Sequence, residues 1–179
     1  ASHLARGVGP LYILSGDEPL LVDEALGLLR ERARAAGCGE REVHVVERGF
    51  DWAALGVGMK SLSLFSSRRL VELRLPGGKP GDEGARFLAE LAGQPGADHV
   101  CVVVLPALNA TAQRAKWAAA LAASGVWVEL RTPTQAQLPG WLQRRLEAAG
   151  LRAEPAAVEL LATLVEGNLL AAKQEIDKL

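Results

Sequence analysis

The chain has 179 residues, 49% of them hydrophobic, with 20 basic and 21 acidic side chains and a formal net charge of -1. This is enough chain to bury a sizeable core, and the balanced charge excludes a global field that would draw it to nucleic acid or an anionic membrane. Two cysteines, Cys38 and Cys101, without a CxxC pattern, and three scattered histidines, His3, His44 and His99, exclude a disulfide framework or a structural zinc site.

The first ten residues, ASHLARGVGP, lack the apolar core of a signal peptide and read in part as a cloning remnant outside the fold. The longest apolar run, VCVVVLPAL, is far too short to cross a bilayer, so the expectation is a cytoplasmic protein in a reducing compartment. Five apolar or alternating runs read as strands: LYILS from Leu11, EVHVVE from Glu42, RLVELRL from Arg69, HVCVVVL from His99 and VWVELR from Val126. Helices are predicted between them, from Pro19 to Ala36, Asp51 to Phe65, Asp82 to Leu91 and Asn109 to Ala123. Pro19 opens the first, and Asp51 and Asn109 cap the second and fourth. The Asn109 sequence NAT also matches a glycosylation acceptor, but without secretion it reads as a cap.

Strictly alternating strands and helices of this spacing require crossovers, which predicts an α/β fold with a five-stranded, mostly parallel sheet flanked by helices. The unbroken apolar VCVVVL is its best candidate for the central strand. Pro133, Pro139 and Gly140 then break the pattern, and from Trp141 onward only helices are suggested, punctuated by Gly150 and Gly167 and reopened by Pro155 and Asn168. The domain reading is therefore residues 1–135 for the sheet domain and 136–179 for a small all-α lid. An amphipathic helix scarcely finished at Leu179 suggests a chain truncated from a longer one.

A strand running into a glycine turn and a helix invites a search for phosphate binding, and SGDEPLLVDEA is the place to look. Aligning the P-loop pattern on Gly16 puts Leu21, Val22 and Asp23 where the second glycine, the lysine and the hydroxyl are required. Asp17 and Glu18 place carboxylates where a phosphate would sit, and like charges about 4 Å apart repel by about 1 kcal/mol in water and about 4 kcal/mol at a partly screened surface. Their simplest role is helix capping. The dinucleotide fingerprint fails at Glu18 and Leu21, and neither LRLPGG nor VVLPALN supplies an acidic pair for magnesium. Ser63, Ser66 and Ser67 have neither a histidine neighbour nor a nucleophile elbow. His44, His99 and Trp117 read as structural. No catalytic residue, metal or cofactor is expected, and the scaffold of a nucleotide-binding enzyme without its machinery points to a binding or assembly role.

The stretch MKSLSLFSSRRLVEL holds the one unexplained apolar pair. Trp52, Leu55, Met59 and Leu62 form a stripe at 100° per residue, Leu64 falls on roughly the opposite side, and Phe65 lies at its margin. Together with LYILSGDEPLLVDEAL, TPTQAQLPGWL and EGNLLAAKQEIDKL, in order and spacing, this stretch resembles the delta subunit of the bacterial DNA polymerase III clamp loader, from about Leu11 to Leu179. The resemblance implies an AAA+-like domain I with a degenerate nucleotide site, a helical lid domain II, and a collar domain III missing after Leu179. An arginine that senses the γ-phosphate in active relatives falls on Leu170 here.

It also implies a subunit of the DNA-directed DNA polymerase holoenzyme with no catalysis of its own, which binds the beta sliding clamp and opens the ring for loading onto primed DNA. Leu64 and Phe65 match the pair that enters a pocket on the clamp, with Ser63, Ser66, Arg68 and Arg69 as rim contacts or, for the arginines, as solvent-exposed side chains entering a strand. Implied partners are the gamma/tau and delta prime subunits and primer-template DNA in the assembled loader. Two rivals remain at this stage: an ATP-hydrolysing AAA+ clamp-loader ATPase, and a small-molecule enzyme on a Rossmann-like sheet.

Overall fold

The computed structural model describes residues 3–4, 7–60, 68–96 and 98–179. It divides into two compact units, residues 1–130 and 131–179. In the first, β1 (Leu11–Ser15) leads into α1 (Pro19–Ala35), β2 (Cys38–Val45), α2 (Trp52–Lys60), β3 (Arg68–Arg74), α3 (Gly81–Gly93), β4 (His99–Leu105), α4 (Ala110–Gln113), α5 (Lys116–Ser124) and β5 (Val126–Glu129).

The five strands form one sheet in the order β2-β3-β4-β1-β5, and every pairing is parallel. β4 is the middle strand, as its apolar run predicts. Its backbone runs alongside β1 from Cys101 against Leu11 to Leu105 against Ser15, and alongside β3 from His99 against Arg69 to Val104 against Arg74. Parallel pairing with crossovers puts helices on both faces, and two cores result. On one face Val71, Leu73, Leu75, Cys101, Val103 and Leu105 pack with Trp52, Leu88, Trp117 and Leu121; on the other, Leu70, Val100 and Val102 pack with Leu26, Leu29 and Ala33 of α1.

The caps follow the sequence. Asp51 Oδ1 accepts from the Ala54 amide at 2.8 Å, Asn109 Oδ1 from Ala112 at 2.9 Å, and Asn168 Oδ1 from Ala171 at 3.0 Å. Two expectations change and one lies beyond what is described. β2 begins at Cys38 rather than Glu42, because the charged alternation of CGEREVHV places Glu40, Glu42 and His44 on one face and Arg41, Val43 and Val45 on the other. The fourth predicted helix is two, since Ala115 adopts extended backbone (φ -59°, ψ 144°) between α4 and α5; neither proline nor glycine marks that step, and beyond it Trp117, Ala118 and Leu121 are buried. The second helix is described only as far as Lys60, so its expected end at Phe65, and Leu62 of its stripe, lie outside the described residues. Within them Trp52 and Leu55 are buried and Met59 packs on the same core.

The second unit opens with a single 3-10 turn, Gln135–Gln137, closed by a reciprocal capping box between Thr134 and Gln137. It continues with α6 (Leu138–Ala148), α7 (Pro155–Val165) and α8 (Leu169–Asp177). Their core is Leu138, Leu142, Leu146, Val158, Ala162, Val165, Leu169, Ala172 and Ile176. Gly150 (φ +80°) ends α6 in the left-handed conformation that suits glycine.

Candidate functional site

Open parallel sheets bind ligands at their strand C-termini, which makes the β1–α1 turn the natural place for a phosphate. Only Gly16, Asp17 and Glu18 separate Ser15 from Pro19, too short a turn for the glycine-rich cradle of a P-loop. Leu21, Val22 and Asp23, the aligned signature positions, lie within α1 itself.

Three positions of the turn offer no free amide to a phosphate. The Gly16 amide donates to Leu105 O at 3.0 Å, Pro19 has no N–H, and the Leu20 amide donates to Glu18 Oε1 at 3.2 Å. Glu18 is thus the side-chain cap of α1, as capping chemistry predicts. Asp17 Oδ1 accepts from the Ala107 amide at 2.9 Å and ties the turn to the exit of β4; Ser15 Oγ donates to Pro106 O at 2.9 Å. Gly16 is glycine for a packing reason: a Cβ there would stand 2.4 Å from Leu130 O.

Beside this turn lies a cleft of about 440 Å³ walled by Pro19, Val22, Val45, Leu75, Val104 and Pro106, with Asp17 and Asp23 also on its lining. Arg74 is on the same lining, and mostly apolar walls with two carboxylates against one guanidinium do not make a phosphate cradle. Among the described residues, no group of three or more His, Cys, Asp or Glu side chains could hold a metal ion. Cys38 and Cys101 are free and buried, and burial pushes the Cys101 thiol up to about 12, so it stays protonated and inert. No helix among the described residues is long and apolar enough to cross a membrane. Leu170, matched to the sensor position, is half exposed on α8.

The second place of interest is the α2–β3 connection. Leu64, Phe65, Ser63 and Ser66 lie outside the described residues, but both ends of the connection are described. Arg69, the second residue of β3, corrects the expectation of a rim or solvent-exposed side chain: it is 8% exposed. Its Nη1 donates to Glu42 Oε1 at 2.9 Å and its Nη2 to Gly58 O of α2 at 2.6 Å. One guanidinium therefore ties β2, β3 and the last turn of α2 together, made possible by its planar, several-pronged donor set. His99 stands opposite Arg69 in the sheet, with its Nε2 buried and without a hydrogen-bond partner among the described residues.

Sequence reasoning missed the group of charges on the other face of β3. Glu72, at 0% exposure, accepts from Arg30 Nε at 2.7 Å and Nη2 at 2.8 Å, with Arg41 Nε at 3.5 Å and Arg74 Nη2 at 3.4 Å. Burial pushes its carboxyl up, but the Arg30 hydrogen bonds and charge, joined by Arg41 and Arg74, outweigh that and hold it below the ordinary glutamate range. Its only signal in sequence was a lone glutamate inside the apolar run LVEL.

A sheet ordered 2-3-4-1-5, with a strand–turn–helix where AAA+ proteins hold nucleotide, defines an α/β fold of the AAA+ class, here with its phosphate turn filled from within. Comparison of structures agrees. The Bacillus subtilis DNA clamp loader delta protein YqeN superposes with a TM-score of 0.74 at 21% identity, covering 96% of this chain and 52% of that one. Thermotoga maritima RuvB, the Holliday junction branch migration motor, gives 0.54 at 15% identity, covering 93% of this chain and 52% of that one.

The family model for DNA polymerase III, delta subunit, matches residues 12–131, and the chain belongs to that family. It is 34% identical over 178 residues to DNA polymerase III subunit delta of Escherichia coli K12 and 30% identical over 180 residues to that of Haemophilus influenzae Rd. Each match covers 99% of this chain and 52% of the relative, so the chain spans about half the length of these curated relatives.

Proposed function

We propose that this chain is the clamp-binding portion of a clamp-loader delta subunit, which engages the ring-shaped sliding clamp and shifts it toward an open form without turning over nucleotide. Membership of the delta-subunit family across the whole sheet domain is the observation that carries this reading. The filled phosphate turn supports it, because the Leu20 amide is taken by Glu18 and the Gly16 amide by Leu105.

Leu64 and Phe65 supply the contact. Burying two such side chains on a partner gains roughly 1.5–3 kcal/mol each before association costs, enough to anchor a modest interface. Small polar neighbours, Ser63 and Ser66, with Arg68, form the rim that excludes water. The Arg69 tie between Gly58 and Glu42 supports the same reading, since it fixes the end of α2 and the start of β3, from which the pair is presented. The chain does no chemistry on the clamp: preference for the open ring shifts its population by no more than the difference in affinity for the two ring states. The gamma/tau and delta prime subunits and primer-template DNA are partners in the assembled loader. Residues 136–179 act as the helical lid of this arrangement, and the site of action is the cytoplasm.

The test is the double variant Leu64→Ala with Phe65→Ala, titrated against the sliding clamp by calorimetry. Clamp binding is expected to vanish while the thermal transition of the chain stays in place; normal binding, or unfolding of the variant, overturns the assignment. ATP titrated into the same chain is expected to give no heat, and a measurable affinity sinks the claim that the nucleotide site is closed.

A further inference from the structure

β2 is an edge strand: β3 pairs with one side of it, and no strand among the described residues pairs with the other. Its α1-side face carries Arg41, Val43 and Val45. α1 covers them only in part: Val43 is 39% exposed, Val45 46%, and the Arg41 side chain 50%. The cleft beside the β1–α1 turn is lined both by Val22 and Asp23 of α1 and by Val45 and Arg74, which leaves an open trough between helix and strand.

Arg74 on that lining belongs to the charge cluster on β3. Glu72 is surrounded by Arg30, Arg41 and Arg74, three guanidiniums for one carboxylate. The charge of Asp23 on α1 also acts on Arg30, so three guanidiniums stand against two carboxylates and the group is net positive. One carboxylate cannot satisfy three guanidiniums with five N–H donors each, and Arg74 Nε is buried with no hydrogen-bond partner among the described residues. The face therefore offers cationic donors, two exposed aliphatic side chains and an open row of backbone groups, alternating at the two-residue period of a strand.

We propose that the α1-side face and open edge of β2, from Arg41 to Val45, dock an extended acidic segment of a partner protein, which adds to the sheet as a further strand. Main-chain hydrogen bonds to the edge supply affinity, its carboxylates meet Arg41 and Arg74, and its apolar side chains cover Val43 and Val45. A bulge between Cys38 and Glu40 disrupts only the start of the strand and leaves this stretch in regular register with β3. A nucleic-acid backbone fits less well. The only exposed apolar groups on this face are aliphatic, with no aromatic platform for a base, and aliphatic side chains repay burial against a peptide rather than against phosphates.

The experiment titrates the acetylated, amidated heptapeptide Glu-Ser-Val-Ser-Val-Ser-Glu, whose glutamates and valines share one face of a strand, into the isotope-labelled 179-residue chain and follows amide shifts. Shifts are expected at residues 41–45 and on the facing turn of α1. Arg41→Glu and, independently, Val43→Asp should each weaken binding by about tenfold or more, and binding should weaken as salt is raised. Leu28→Asp, on an exposed position of α1 away from its buried residues Leu26 and Leu29, serves as the control and should leave it unchanged. Absence of binding at millimolar peptide, shifts mapped elsewhere, or indifference to both variants when each retains the wild-type melting curve overturns the proposal. Tighter binding of an oligothymidine to the same residues overturns it in favour of nucleic acid.

Discussion

Glu72 and Leu73 are neighbours in β3, both at 0% exposure, yet they face layers built on different physics. Leu73 enters a face covered by α2, α3 and α5, where Trp52, Leu88, Trp117 and Leu121 close an apolar core. Glu72 enters the face that α1 covers only in part, and there burial is sustained by ion pairing with Arg30, Arg41 and Arg74 instead of by packing. Where helices complete a layer, apolar contact suffices; where the layer stops short, a strand keeps charges that remain partly in contact with water. Such a flank stays soluble as a free surface and remains chemically able to receive something else.

The sharpest way to break this comparison is to remove each neighbour in turn. Leu73→Ala is expected to cost about 4 kcal/mol through lost transfer energy and a cavity, with little dependence on pH or salt. Glu72→Gln should cost about 3 kcal/mol at neutral pH, because it strands a cluster of guanidiniums around an uncharged amide, with partial solvation of the arginines holding the figure to the low end. The sign of its pH dependence follows from a carboxyl held below its ordinary value: its contribution is complete above about 4.5 and is lost as pH falls through that value and below. Urea melts of both variants at pH 7 and pH 3.5 should therefore show the Glu72 difference shrinking with acid and the Leu73 difference persisting. A Glu72 loss unchanged at pH 3.5 would contradict the ionic account of that face.

A smaller effect separates the faces through their glycines. On the covered face, a Cβ at Gly84 of α3 would lie 2.4 Å from Trp52 Cζ2 and 2.6 Å from Cε2, and that indole is already held edge-on by Phe50 at 5.0 Å. Gly84→Ala should destabilise by about 1–3 kcal/mol through overpacking. On the open face, Gly27→Ala in α1 meets nothing and should stabilise by about 0.5–1 kcal/mol through helix propensity. Chemical denaturation of the pair checks the opposite signs.

The smallest expected effect concerns His99. Burial, then the charge of Arg69, lowers its pKa below 6.5, against the weaker pull of Asp98 and Glu42. The folded chain thus binds the proton less readily than the unfolded one, and stability falls as pH drops through about 6.5 toward the lowered folded value. Replacing it with the uncharged His99→Gln should flatten the stability profile between pH 7.5 and about 5.5 by less than about 1 kcal/mol per pH unit, the most that one shifted proton can contribute being about 1.4. An unaltered slope would mean that His99 titrates normally.

Much of this was legible in residue order. Strand–helix alternation located all five strands, the apolar run at Val100 marked the central one, and Asp51, Asn109 and Asn168 cap helices as their types predict. The failed P-loop positions were equally legible, since Leu21, Val22 and Asp23 cannot do the chemistry of a glycine, a lysine and a hydroxyl. The early start of β2 was hidden by its charges, and the break at Ala115 had no local signal.

The sequence by itself determined the fold class, because hydrophobic period and caps are local properties that each segment carries with it, and it determined the loss of the phosphate signature, because that requires particular side chains at fixed spacing. Only the tertiary structure decided where the charges went. Arg69 read as a rim residue and became the tie between Gly58 and Glu42; Glu72 read as one glutamate in an apolar strand and became the centre of three arginines drawn from α1, β2 and β3. Both outcomes depend on contacts between segments distant in the chain, and a buried charge is tolerable only where such contacts deliver its partners.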